Sequence, residues 1–319
     1  MPAAIYGSQS HHCGVATTRN SKSFAVRAYD LDATLASGQA FRWYHEEGSW
    51  VGVIGEHWVR LRSDRFFITA ETAVPVQNWS WLVDYLQLEL DLETVLLSFP
   101  TDEPMCAAVS ACRGLRLLRQ EPWECLASFI LSSTKQIVQI QQIINCLCER
   151  YGDLVPTGAG AGPAYVFPTA ARLARTTEAE LRACKMGFRA PYLLATARAI
   201  AGREFELDRI AGLSLDLARI ELMHLPGVGP KIADCVLLFA YGFQTAFPVD
   251  VWVRKALRQL YFPRRRVLPK RLQEFSATHF GAYAGYAQQY LFHYMRTQRK
   301  APQAASRTRK GKAAPNLSQ

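Results

Sequence analysis

The stretch Leu225-Pro-Gly-Val-Gly-Pro-Lys231 sets a lysine directly behind a glycine-bracketed turn, and Pro248-Val-Asp250 ends the loop that follows with an aspartate. Glycine reaches positive φ and lets another backbone come close. Gly227 and Gly229 around Val228 therefore read as a tight hairpin between two helices. Pro230 suits the first turn of the second helix. Main-chain N–H groups at such a hairpin and helix start can hold a phosphate. Lys231 lies in that first turn, where the positive helix end favours a neutral amine. A neutral amine is a nucleophile; a charged one would contact phosphate instead. Asp250 is a good helix N-cap. Asp234, three residues after Lys231 on the same helix, is a competing acid that can pair locally.

These groups need helices to hold them. Lys231 to Gly242 is an apolar run with Gly242 as its C-cap, and the next helix starts at Asp250. Helical periodicity extends back to Trp79. Residues 105 to 118 are expected as one helix, and Ile137, Ile140, Ile143, Ile144 and Leu147 form a core stripe on another. Gly158 to Pro163 reads as a Gly/Ala linker. Before Trp79 the pattern is that of strands. From Phe24 short runs through Trp43, Ser49–Ile54, His57–Arg62 and Phe66–Thr69 are separated by turn residues. In the third, Val59 and Leu61 alternate with Trp58, Arg60 and Arg62, as in a half-buried antiparallel strand. The expected fold class is α+β: an N-terminal antiparallel β-sheet subdomain and a mostly α-helical body with a helix-hairpin-helix motif. The expected boundaries are a flexible tail over 1–22, the sheet subdomain with its following helices over 23–118, the helical body over 119–297, and a basic disordered tail over 298–319. No repeat of the solenoid kind occurs.

The 319 residues carry a formal charge of +10 with pI near 9.3, which suits a polyanionic partner or a basic enzyme whose charge aids solubility. No apolar run is long enough to span a bilayer, and the N-terminus has no signal-peptide core. An intracellular protein is expected, and its eight cysteines read as thiols. Cys146 and Cys148 are poorly spaced for a metal. His11, His12 and Cys13 read as part of the N-terminal tail.

Hairpin, Lys231, Cys235 and Pro248-Val-Asp250 together resemble the helix-hairpin-helix DNA glycosylases, and within them the 8-oxoguanine glycosylase/AP lyase branch. Glu121 to Ser133 resembles the branch's helix before its DNA-contacting turn. Ser37-Gly-Gln-Ala-Phe-Arg-Trp43, Met186-Gly-Phe-Arg-Ala-Pro-Tyr192 and Tyr283-Ala-Gly-Tyr-Ala-Gln-Gln-Tyr-Leu-Phe292 resemble three more of its signatures. The resemblance covers roughly residues 24–297. It implies that Lys231 is the nucleophile and Asp250 the essential carboxylate. It places Gly38, Cys235, Gln288 and Phe292 around the flipped base. The Gly38 carbonyl would accept from the N7–H that 8-oxoguanine has and guanine lacks. Gln288 would read the Watson–Crick edge, and Phe292 and Cys235 would cover the two faces. Gly227, Val228, Gly229, Thr134, Lys135, Gln136, Phe188, Arg189 and Trp252 would meet DNA. The implied partner is double-stranded DNA with a damaged purine, bound by a monomer located with DNA. Some relatives carry a four-cysteine iron–sulfur cluster after the catalytic helices. No cysteine follows Cys235 here, so no cluster, zinc or other cofactor is expected.

The chain also departs from the branch. The asparagine-rich turn after Ser-Ser is Ser133-Thr-Lys-Gln136, and the second arginine that meets the orphan cytosine is Gln139. A histidine near the lesion phosphate is Trp252, and the tyrosine wedge is Phe188. Base-pocket readout is thus better supported than preference for cytosine. Two other functions fit parts of the pattern. One is an alkyl-purine glycosylase using water and aspartate, which lacks a lysine at position 231. The other is a non-catalytic helix-hairpin-helix DNA-binding protein.

Overall fold

A computed structural model describes residues 19–132, 136–263 and 267–298. Among them, five strands form an antiparallel sheet: β1 Arg19–Ala25, β2 Tyr44–Glu46, β3 Ser49–Ile54, β4 His57–Ser63 and β5 Phe67–Val76. Their spatial order is β1-β5-β4-β3-β2. The register pairs Leu61 with Trp50 on one side and with Ala70 on the other. Val59 and Leu61 are fully buried, as their alternation predicts. They pack with Phe24, Ile68 and Ala70 against Leu31 and Leu35 of helix α1, Leu31–Ala36, and against Trp79, Leu82 and Leu86. Trp58 is buried too, but on the opposite face, with Val51 and Val155. β1 begins at Arg19, inside the stretch expected to be tail. Its polar side chains gave no alternating signal, yet main-chain pairing with β5 needs none.

Three helices follow the sheet: α2 Ser80–Leu86, α3 Leu92–Leu97 and α4 Glu103–Ala111. Asp91 and Asp102 cap the last two through their carboxylates. The helix expected over 105–118 stops at Ala111. Gly114 then turns with φ +99°, and a Cβ there would lie 2.8 Å from the Ala28 carbonyl and the Asp30 nitrogen. Beyond it the main chain bonds outward: Arg116 N–H to Thr34 Oγ1 (3.0 Å), Leu118 N–H to Gln39 Oε1 (2.8 Å) and Gln120 N–H to the Phe239 carbonyl (2.8 Å). These bonds replace helical ones and tie the sheet subdomain to the body.

The body contains α5 Pro122–Ser132, α6 Ile137–Tyr151, the two-stranded ribbon β6 Leu154–Val155 and β7 Ala164–Tyr165, α7 Ala170–Ala174, α8 Glu178–Ala183, α9 Ala190–Ala201, α10 Leu215–Met223, α11 Pro230–Val236, α12 Val251–Ala256, α13 Pro269–His279 and α14 Ala284–Gln298. The expected Gly/Ala linker lies between β6 and β7, with Gly158 pressed against the Trp58 ring. α11 and α12 each continue through a wider π-helical turn, Leu237–Tyr241 and Leu257–Tyr261. α5 is the central element, with Trp123 and every residue from Cys125 to Leu131 buried. Truncating such a side chain to alanine costs about 2–5 kcal/mol. α14 reaches the same core through Tyr286, Ala287, Tyr290 and Leu291. Gly285 lets it approach the loop before α12, where its N–H meets the Gln244 carbonyl at 2.8 Å. α5, α11, α12 and α14 are thereby brought around one cleft.

Candidate active site

The hairpin joins α10 to α11. Gly227 has φ +78°, and a Cβ there would lie 2.8 Å from the Tyr192 side chain. Both conformation and space therefore demand glycine at that position. Val228 is buried and anchors the turn. Gly229 is different: its backbone is extended, at φ −102° and ψ 179°, and a Cβ would meet nothing within 4 Å. Only the first of the two glycines is required by local geometry; the second leaves the start of α11 open to a ligand. Pro230 occupies the first turn, as expected.

In the first turn of α11, Lys231 projects over Phe129, its Nζ 5.0 Å from the ring centroid and 3.3 Å from Ser132 Oγ. Cys235 lies on the same face, and burial pushes its thiol up to about 12. It is therefore a neutral, apolar wall. Asp250 caps α12, accepting from the Val253 N–H at 2.8 Å. Burial raises its pKa. The Val253 N–H, the charge of Lys231, the Trp252 N–H and the charge of Arg296 oppose that rise. Asp234, the competing acid, pairs with Arg219 of α10 at 2.7 Å and is not among the residues lining the cleft.

Gly38, Lys231, Cys235, Asp250, Gln288 and Phe292 all line this cleft, together with Phe129, Phe239, Pro248 and Gln289. Gln288 is 4% exposed, and its Oε1 has no hydrogen-bond partner among the described residues. A buried amide oxygen left unmatched is costly, and a donor on a ligand would satisfy it. Gly38 turns with φ +81° after α1. Gln39 fixes this turn, its Nε2 donating to the Thr34 and Arg116 carbonyls at 3.0 and 2.8 Å. Phe129 and Ser132 sit inside a segment that the sequence singles out, although neither side chain stands out there. Phe239 and Gln289 gave no signal beyond apolar or amide character.

The residues expected to meet DNA are less uniform. Phe188 is 58% exposed, just before α9. Arg189 is 1% exposed, with its guanidinium 4.3 Å from the Phe188 ring centroid. Expected to meet DNA, it lies beneath the aromatic here, and burial lowers its pKa. Gln136 stands at the N-cap of α6, where its N–H donates to Gln139 Oε1 at 3.1 Å. Gln139, in the expected arginine's place, is thus engaged in capping. Trp252 is half-buried in the first turn of α12, with Lys255 Nζ 5.8 Å from its ring centroid. Thr134 and Lys135 lie outside the described residues.

Comparison with known proteins matches both parts of the fold. The family model described as 8-oxoguanine DNA glycosylase, N-terminal domain, matches residues 23–126. That of the HhH-GPD superfamily base excision DNA repair protein matches residues 127–279. A probable N-glycosylase/DNA lyase of Methanothermobacter thermautotrophicus is 30% identical over 300 residues, covering 85% of this chain and 95% of its own. The N-glycosylase/DNA lyase of Saccharomyces cerevisiae is 32% identical, covering 72% of this chain and 68% of its own. The crystal structure of the Clostridium acetobutylicum 8-oxoguanine glycosylase/lyase in its apo-form superposes with a TM-score of 0.81 at 33% identity, over 86% of this chain and 96% of that one. With sheet and helical body both matched over these lengths, the chain belongs to the HhH-GPD superfamily of base excision DNA repair proteins, in its 8-oxoguanine DNA glycosylase branch.

Proposed function

We propose that this chain is a DNA glycosylase/AP lyase that flips oxidised guanine out of a duplex and excises it through Lys231. The observation that carries this reading is the convergence in one cleft of an amine, a carboxylate and an unmatched amide oxygen, on Lys231, Asp250 and Gln288. A base must leave the stack before its glycosidic bond can be reached. In the cleft its faces meet Phe292 and Cys235, and its Watson–Crick edge supplies donors to Gln288 Oε1. The Gly38 carbonyl accepts the N7–H of 8-oxoguanine; guanine has no such donor.

The lone pair of neutral Lys231 Nζ forms a bond to C1′ as the C1′–N9 bond breaks; the base departs with the electron pair of the broken bond and takes up the proton that Nζ then sheds. Asp250 stabilises the positive charge that develops on the sugar. Ring opening then gives an iminium between Nζ and C1′. Loss of a C2′ proton expels the 3′ phosphate by β-elimination, and water releases the lysine. Each step uses the protein's own side chains and water, with no metal or other cofactor. Hairpin N–H groups around Gly227, Val228 and Gly229 hold a backbone phosphate, and the net positive charge draws the protein to DNA. The protein is proposed to act as a monomer. In this scheme residues 119–297 carry the catalytic region and 23–118 supply the Gly38 wall.

Borohydride reduces the iminium and traps protein on DNA. Trapping on duplexes carrying 8-oxoguanine opposite each of the four bases tests the reading. A trapped species that Lys231→Gln abolishes is expected. Base release without trapping would point to water as the nucleophile, as in alkyl-purine glycosylases. Binding without either would leave a DNA-binding module.

A further inference from the structure

Arg296, near the end of α14, touches several parts of the cleft without lining it. Its Nη1 donates to the Ser37 carbonyl at 3.0 Å, and its guanidinium lies 5.2 Å from the Phe292 ring centroid. The same Nη1 is 3.1 Å from where a Cβ of Gly38 would be. Gln289 also donates to the Ser37 carbonyl, at 3.3 Å. Residues 289, 292 and 296 follow i, i+3, i+7 spacing, so one face of α14 carries all three. The turn that ends in Gly38 is thereby held by two donors from a helix in the other half of the molecule.

We propose that Arg296 is the positioning residue of the base pocket. Its guanidinium locks the Gly38 turn and the Phe292 ring into one arrangement. This rests on the reading of the cleft given above. The planar fork suits the task, since one edge donates to a carbonyl while the plane lies against an aromatic face. Lysine would keep the charge but not the plane. Among the described residues, the groups whose charge or N–H acts on Asp250 include Lys231 and Cys235 from α11, Arg296 from α14, and the N–H groups of Trp252 and Val253 on its own helix. The charge of Arg296 acts with that of Lys231 against the rise that burial gives Asp250.

The test is single-turnover excision of 8-oxoguanine across pH 5 to 9 by Arg296→Ala, Arg296→Gln and Arg296→Lys, with cleavage of preformed abasic sites measured in parallel. A misplacement of about 1 Å can cost on the order of 100-fold. Arg296→Ala should therefore slow excision at least ~10-fold at its optimum, and abasic-site cleavage much less, because no base occupies the pocket there. Its acid limb should move to higher pH. Arg296→Gln should show the same movement, because it retains a donor but no charge. Arg296→Lys should restore the limb without the full rate. Equal losses of both activities with an unmoved limb, or no loss, would overturn the proposal. If Arg296→Ala melts early, the Gln and Lys pair decides by the limb alone. Wild-type borohydride trapping runs as the control: its absence would sink the nucleophile assignment and not this one.

Discussion

Lys231 Nζ and Ser132 Oγ meet at 3.3 Å, joining the first turn of α11 to the last residue of α5. The contact aims a flexible four-carbon side chain at the cleft and gives its amine an acceptor. Lys231→Gln should abolish trapping and excision while lesion binding persists. Ser132→Ala removes one hydrogen bond worth ~0.5–1.5 kcal/mol, so excision should fall about 2–10-fold with trapping retained. Normal trapping by Lys231→Gln would end the nucleophile assignment.

Asp250→Asn keeps a side-chain oxygen for the Val253 N–H and removes the charge. Excision should drop on the order of 100-fold or more. Burial raises the Asp250 pKa in the folded state. The folded protein therefore holds this proton more tightly, and stability falls as pH rises from the unfolded pKa through the folded one. Asp250→Asn lacks that loss, so its Tm at neutral pH should equal or exceed wild type. Wild-type excision should fail on acidification above the ordinary carboxylate range. A Tm drop equivalent to ~2 kcal/mol with an unchanged rate per folded molecule would reduce Asp250 to a cap.

The two hairpin glycines should separate stability from binding. Gly227→Ala forces a Cβ to within 2.8 Å of Tyr192 at φ +78°, and a left-handed non-glycine residue costs about 1–2 kcal/mol. Its melting temperature should fall. Gly229→Val has room and a negative φ, so it should fold. It should weaken binding to damaged and undamaged duplexes alike, because a phosphate contact carries no sequence information. Selective loss for 8-oxoguanine duplexes would contradict the phosphate role.

The opposite base should be read weakly. Gln139 caps α6, and Arg189 lies under Phe188, so neither presents an open arginine fork to cytosine. A good bidentate contact is worth ~1–3 kcal/mol of discrimination. Excision opposite thymine, guanine and adenine should therefore be appreciable beside cytosine in single-turnover assays. A cytosine preference beyond roughly 100-fold, about 2.7 kcal/mol, would mean that Arg189 swings out on binding or that other donors replace the missing one.

Sequence alone determined what depends on neighbours in the chain. The hairpin, Pro230 in the first turn of α11, Asp250 at the cap of α12, Gly242 ending the helix and the alternation of β4 all rest on local backbone preference or on the period of one element. Resemblance then attached roles to Lys231, Asp250 and the pocket residues. Tertiary structure decided what depends on distant partners. Ser37 and Gln289 are 252 positions apart, yet their contact fixes the Gly38 turn. The helix expected to reach Leu118 stops at Ala111 because main-chain groups beyond Gly114 find partners on α1, Gln39 and Phe239. Arg296 and Ser132 gain their places beside the cleft only when α14 and α5 pack around it. Periodicity records that a face is buried; it does not record against what. Only the assembled core brings amine, carboxylate and amide to one cleft.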